Sequence, residues 1–245
     1  MKTKRFYLII MSVLFKINFL LATPSISNVV LSPTNNVGLY EKFEITFTMN
    51  NYTNPYNPDI VNSYCEFWSP SGKYYKVFAF YYQDYTKTNS NCTPYQCETL
   101  TPNGINNWKI RFTPNEAGNW QYKITATDNS GSITHPITNT LSFICISSSN
   151  KGFIVKANNK FLKRTTGEFF FPVGQNVAWY GSPTYWGTQT FGTNEYQYYI
   201  DNIAINKANF IRVWLDMYEG MALVGYDFTT QQNYLIYIIR KMHIS

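Results

Sequence analysis

Charge is the scarcest property of this sequence: 14% of its 245 residues are charged, and histidine occurs only twice. The formal net charge of +6 overstates even that, because Lys2, Lys4, Arg5 and Lys16 crowd the extreme N-terminus and leave the remainder at +2. No basic stripe survives along the rest of the chain, which argues against a nucleic-acid partner. His135 and His243 lie far in sequence from all four cysteines, so no metal-ligand spacing is present and no metal is expected. No cofactor-binding motif is present either. The chain also lacks a long apolar run. Phe6 to Phe15 is apolar, but Lys16 and Asn18 interrupt it well short of the roughly 20 residues that span a bilayer. A basic start, a short apolar stretch and Leu20-Leu21-Ala22 ahead of Thr23-Pro24 read instead as a secretory signal over residues 1–22. The expectation is an extracellular protein with no stable membrane insertion. Its oligomeric state leaves no mark in the sequence.

Aromatic residues take up the space that charge leaves. They make up 18% of the chain, with 21 Tyr and 18 Phe, a content that suits half-buried strands and also suits stacking against the apolar faces of sugars. Phe43, Ile45, Phe47 and Met49 alternate with polar residues, as do Trp108, Ile110 and Phe112, and then Trp120, Tyr122, Ile124 and Ala126. This period of two marks strands with one buried face. Turn chemistry separates them at Ser69-Pro70-Ser71-Gly72, Pro114 to Gly118 and Asp128 to Gly131. The predicted architecture for residues 24–147 is a mainly β, immunoglobulin-like sandwich of two sheets.

Cys65, Cys92, Cys97 and Cys145 form an even set, which in a secreted chain points to disulfides. Alternation turns Cys65 inward with Phe67, and Cys145 inward with Leu141 and Phe143. The expected pairs are therefore Cys65–Cys145, bridging two sheets, and Cys92–Cys97, closed locally in a polar loop.

After a linker at Ser147 to Gly152 the rhythm changes. Short strands near Phe153–Val155 and Phe161–Lys163 precede a helix capped at Thr193 or Asn194, with Tyr196, Tyr199, Ile200 and Ile203 on one face. Phe210 to Leu215 then reads as a parallel strand buried on both faces. A final helix is predicted from Thr229 or Thr230, with Leu235, Ile238, Ile239 and Met242 inward. The order β-α-β-α is the opening of an α/β domain.

Several segments carry a resemblance. Tyr40-Glu41-Lys42-Phe43-Glu44, Asn54 to Asp59, Pro70 to Lys73, and Trp108 to Pro114 with Gly118-Asn119-Trp120 resemble the DUF5060 family. That is an immunoglobulin-like domain placed ahead of glycoside hydrolase barrels. Phe170 to Trp179 and Ala208 to Trp214 look like the entry and second strand of a cellulase-like (β/α)8 barrel. The resemblance implies an incomplete barrel over residues 151–245. It also implies that Arg212 is the residue orienting a nucleophilic carboxylate in the complete barrel, with Trp179 and Trp214 lining a sugar cleft.

The two carboxylates of a retaining glycosidase stand about 5 Å apart and act as acid/base and nucleophile. In the family they follow the fourth and seventh barrel strands, beyond the β-α-β-α segment read here, so no catalytic residue is assigned. The expectation is a secreted portion of a glycoside hydrolase-type protein that acts on or binds polysaccharide and is itself not catalytically competent. The alternatives are a non-catalytic immunoglobulin-like module for carbohydrate or protein, and a secreted structural or adhesive protein.

Overall fold

The structure is a computed structural model and describes residues 23–34, 36–92, 96–177 and 193–213. Ten strands lie within residues 27–146: β1 (Ser27–Ser32), β2 (Asn36–Gly38), β3 (Phe43–Thr48), β4 (Val61–Trp68), β5 (Tyr74–Phe78), β6 (Phe80–Asn91), β7 (Gln96–Phe112), β8 (Gly118–Asp128), β9 (Gly131–His135) and β10 (Leu141–Ile146). They form two sheets. The smaller runs β1-β3-β7-β6, and the larger runs β2-β10-β8-β4-β5 with β9 also paired to β8. The β2–β10 pair is parallel, and the other pairs in these two sheets are antiparallel.

The alternation in the sequence sets which side chains meet between the sheets. Phe43, Ile45, Phe47, Trp108 and Ile110 face inward from the smaller sheet, and Cys65, Phe67, Trp120, Tyr122, Ile124, Phe143 and Cys145 from the larger. Phe43 stacks on Phe143 at 4.0 Å and Phe67 on Phe112 at 4.1 Å, so rings from the two layers interdigitate. The indole N–H of Trp120, fully buried, donates to the Glu116 carbonyl at 2.8 Å, which relieves the core of an unpaired donor. The result is a two-layer β-sandwich.

Sheet membership overturns one expected disulfide. Cys65 and Cys145 are both buried and both free. They do face the core, but from the same sheet: β4 and β10 lie on opposite edges of β8. Cys65 is opposite Ile124, and Cys145 is opposite Gly118. Two strand spacings of about 4.8 Å and six residues of about 3.3 Å each put the two α-carbons on the order of 20 Å apart. A disulfide needs less than about 7 Å. Cys92 and Cys97 do pair, with α-carbons 5.4 Å apart. They clamp the tip of a long β6–β7 ribbon whose distal half is polar and carries no apolar alternation.

The segment after Ile146 is held to the sandwich rather than loosely tethered. Ser148 Oγ donates to the Leu39 carbonyl at 2.7 Å, Asn150 Nδ2 donates to the Tyr40 carbonyl at 3.0 Å, and the Tyr40 and Phe153 rings meet edge to face. A small antiparallel sheet follows, β11 (Ile154–Lys156), β12 (Leu162–Arg164) and β13 (Phe169–Phe170). Then β14 (Gly174–Val177), α1 (Thr193–Ile205) and β15 (Phe210–Val213) make one parallel β-α-β unit.

The expected incomplete (β/α)8 segment is not supported: the described residues hold a single helix and a two-stranded parallel sheet, with no barrel curvature to read. The expected burial of β15 on both faces also fails, with Phe210 44% exposed. One helix can cover only one face of a two-stranded pair. The second predicted helix lies outside the described residues.

Candidate functional site

The outward faces of the sandwich are where a ligand can be met, and the larger sheet presents the richer chemistry. In β4 the inward phase belongs to Val61, Ser63, Cys65 and Phe67, so Tyr64, Glu66 and Trp68 face out. The register then aligns outward residues in rows across neighbouring strands. Trp68 lies opposite Tyr74 of β5 and Gln121 of β8. Glu66 lies opposite Lys76 and Lys123, and Tyr64 opposite Phe78. Tyr74 and Phe78 are more than half exposed, and Trp68 is half-buried.

The two ends of this face differ. Lys76 places its ammonium 3.6 Å from the Tyr64 ring centre and 5.4 Å from that of Phe78, a cation–π contact that caps both rings. At the other end the Trp68 and Tyr74 rings sit 5.9 Å apart at 57° and no cation covers either among the described residues. The Tyr74 hydroxyl donates to Glu66 Oε1 at 2.9 Å, and that bond to a carboxylate pushes its phenol pKa up. The ring is thereby held in place at the rim.

Beside Trp68 an open cleft of about 510 Å³ is lined by Trp68, Ser69, Pro70, Gly72, Asn119 and Gln121. That is within the size range of small-molecule sites. Its walls are built by two turns. Ser69 to Lys73 closes the β4–β5 hairpin with Pro70 at the first bend and Gly72 in the left-handed region at φ 83°, where a side chain would strain the backbone. Ser71 Oγ donates to Glu116 Oε2 at 2.7 Å, tying that turn to the β7–β8 turn and lowering the Glu116 carboxyl pKa. A β-carbon on Gly118 would come within 2.9 Å of Pro70 Cγ, so the two turns pack backbone to ring. The cleft is thus preformed, with an indole and two primary amides in its lining.

Of Arg212, Trp179 and Trp214, nominated from the sequence, Arg212 alone lies within the described residues. Arg212 is exposed on β15, opposite Asn176 of β14. Trp179 and Trp214 lie outside the described residues. Trp68, Tyr74, Asn119 and Gln121 were missed, although the signal was present. Once Cys65 and Phe67 are placed inward, Trp68 must face out, and an outward tryptophan on a sheet is unusual enough to mark. No group of metal-binding side chains occurs among the described residues.

A family profile described as "Domain of unknown function (DUF5060)" matches residues 36–127. The match runs from the first residue of β2 almost to the end of β8, so it contains the whole cleft and none of the segment from Lys151 onward. No curated protein matches the chain.

Proposed function

We propose that this chain is an extracellular, non-hydrolytic polysaccharide-binding protein that recognises its ligand in the Trp68 cleft. The observation that carries the reading is the pairing of open aromatic rings, Trp68 and Tyr74, with the Asn119 and Gln121 amides on one preformed face. Sugars offer apolar C–H faces ringed by hydroxyls, and an aromatic wall beside donor–acceptor amides meets both features at once.

An immunoglobulin-type module over residues 24–147 is supported by the strand order. One sheet in the order β1-β3-β7-β6 faces another whose central strands β8 and β4 carry the cleft, as in sandwiches that add strands to the second sheet. Secretion is supported by the N-terminal sequence pattern of residues 1–22 and by the disulfide at the ribbon tip. Residues 151–245 are proposed as a separate unit following that module. A hydrolytic role finds no carboxylate pair in the cleft, whose lining carries no acidic side chain.

Affinity electrophoresis of the full chain through gels containing soluble polysaccharides tests the reading. Retardation by at least one polymer, abolished in Trp68→Ala with the fold intact by circular dichroism, is the expected result. Unchanged retardation in Trp68→Ala would move the site away from the cleft.

A further inference from the structure

We infer that the ligand is a neutral, extended polysaccharide laid across the strands of the larger sheet, from Tyr74 over Trp68 to Gln121, and not an acidic polymer. The inference rests on the polysaccharide reading and adds its charge class and its direction.

Charge comes first. No charged side chain lines the cleft. The nearest cations are already engaged or offset. Lys76 is spent on the Tyr64 and Phe78 rings, and Lys123 lies across from Glu66 in the ladder. Lys73 stands close enough to Glu116 to help lower its carboxyl pKa, so the charges of the two turns balance. A uronate chain entering here would give up hydration with no cation to replace it, at a substantial desolvation penalty. Hydroxyls, in contrast, both donate and accept. The Asn119 and Gln121 amides can do the same in return. The Trp68 indole N–H has no protein partner among the described residues and adds a third donor at the wall.

Direction follows from the register. Tyr74, Trp68, Gln121 and Ser142 occupy one row on β5, β4, β8 and β10, because each lies directly opposite the next. Three strand spacings make that row about 14 Å long. An extended pyranose polymer advances by nearly one strand spacing per sugar, so successive units meet ring, ring, amide and hydroxyl in turn. A ligand running along the strands would instead pass from Trp68 onto Glu66 and the Lys76-capped Tyr64. Affinity therefore has to grow with chain length, since a single sugar can cover only one station of the row.

The test uses the full chain and titration calorimetry with neutral β-linked oligosaccharides of one to six units, and affinity gels of xylan, mixed-linkage glucan and polygalacturonate. Binding to a neutral polymer is expected to change by less than about two-fold between low salt and physiological ionic strength, since no ion pair is formed. Kd is expected to improve at least about ten-fold from the single sugar to the longest oligomer, through added contacts along the row. Tyr74→Ala is expected to weaken the longest oligomer several-fold and leave a dimer little changed. Gln121→Ala, which alters no core contact, is expected to weaken all of them.

Preference for polygalacturonate with steep salt dependence would overturn the neutral class while leaving the polysaccharide reading standing. Length-independent affinity would overturn the direction. Absence of binding to any polymer would overturn both the inference and the reading beneath it.

Discussion

The outer face of the smaller sheet offers the sharpest test of the packing. Glu44 on β3 is only 8% exposed, yet it is a carboxylate on the side of the sheet away from the core. Lys109 Nζ donates to its Oε1 at 2.8 Å and Arg111 Nε to its Oε2 at 2.6 Å. The cations lie over aromatic rings, Lys109 at 4.3 Å from Tyr82 and Arg111 at 5.1 Å from Phe80. Burial alone would raise the Glu44 pKa, but the two cationic donors outweigh it and hold the carboxyl below its ordinary value of 4.5.

Glu44→Gln keeps the shape and removes the charge, leaving two half-dry cations without a counterion. Breaking a buried pair from one side costs about 3 kcal/mol at the lower end of the known range. For a domain of this size that corresponds to a fall in Tm of roughly 10 °C. Because the folded pKa is depressed, the contribution is complete above about pH 4.5 and disappears as pH falls through the folded value. The wild type and Glu44→Gln should therefore converge in acid. Thermal melts followed by circular dichroism from pH 7 to pH 3 measure this directly. A loss below about 1 kcal/mol at neutral pH, or a gap that stays constant on acidification, would refute the electrostatic account. Replacing Glu44, Lys109 and Arg111 together by methionine should recover most of the loss, because the penalty belongs to stranded charges and not to the missing contacts.

Two further outcomes follow from the cysteines. Alkylation of the unreduced, denatured chain should add two labels, at Cys65 and Cys145, whereas the native protein should label far more slowly. Burial raises both thiols, Cys145 to about 11 and Cys65 further, so little thiolate exists at neutral pH; zero labels after denaturation would restore the bridged pairing. Reduction of Cys92–Cys97 should cost about 2 kcal/mol of constraint on the ribbon tip. It should also loosen α1, because Asn194 donates to Asn89 Oδ1 and the Gln96 carbonyl beside that tip and accepts from Lys87. Limited proteolysis should then cut near α1 while the sandwich persists, and an unchanged digestion pattern would count against the coupling.

Inward-facing residues were legible in the sequence because a sheet with one wet face writes its burial as alternation. Phe43, Ile45, Phe47, Trp108, Ile110, Trp120, Tyr122 and Ile124 are all buried where the period of two put them. What alternation does not encode is which strands share a sheet. Cys65 and Cys145 were correctly turned inward and still wrongly paired, since the partner of β4 is set by the path of the chain between them. The distal half of the β6–β7 ribbon is not legible for a related reason. Its Thr, Asn and Lys residues are polar on both faces, so hydrogen bonding holds it together without a hydrophobic signature. The cleft was half legible. The phase of β4 places Trp68 outside, but its neighbours Tyr74, Asn119 and Gln121 come from other strands and only register assembles them.

The same sandwich treats exposed aromatics in two opposite ways, and the contrast bears on which face does the recognising. On the smaller sheet, Phe80 and Tyr82 are covered by Lys109 and Arg111, and those cations are pinned in turn by Glu44. On the larger sheet, Tyr64 and Phe78 are covered by Lys76. A cation placed in this way occupies one face of the ring it covers. Trp68 and Tyr74 have no such cap among the described residues, and Glu66 bonds to the Tyr74 hydroxyl and not to the ring face. Two cross-tied turns then hold the cleft beside them in shape. Phe78 is itself 59% exposed, so what sets Trp68 and Tyr74 apart is the absence of a cation over their rings, together with the amides of the cleft beside them. The uncapped rings of Trp68 and Tyr74 beside a preformed cleft are the physical ground for the proposed recognition along this row.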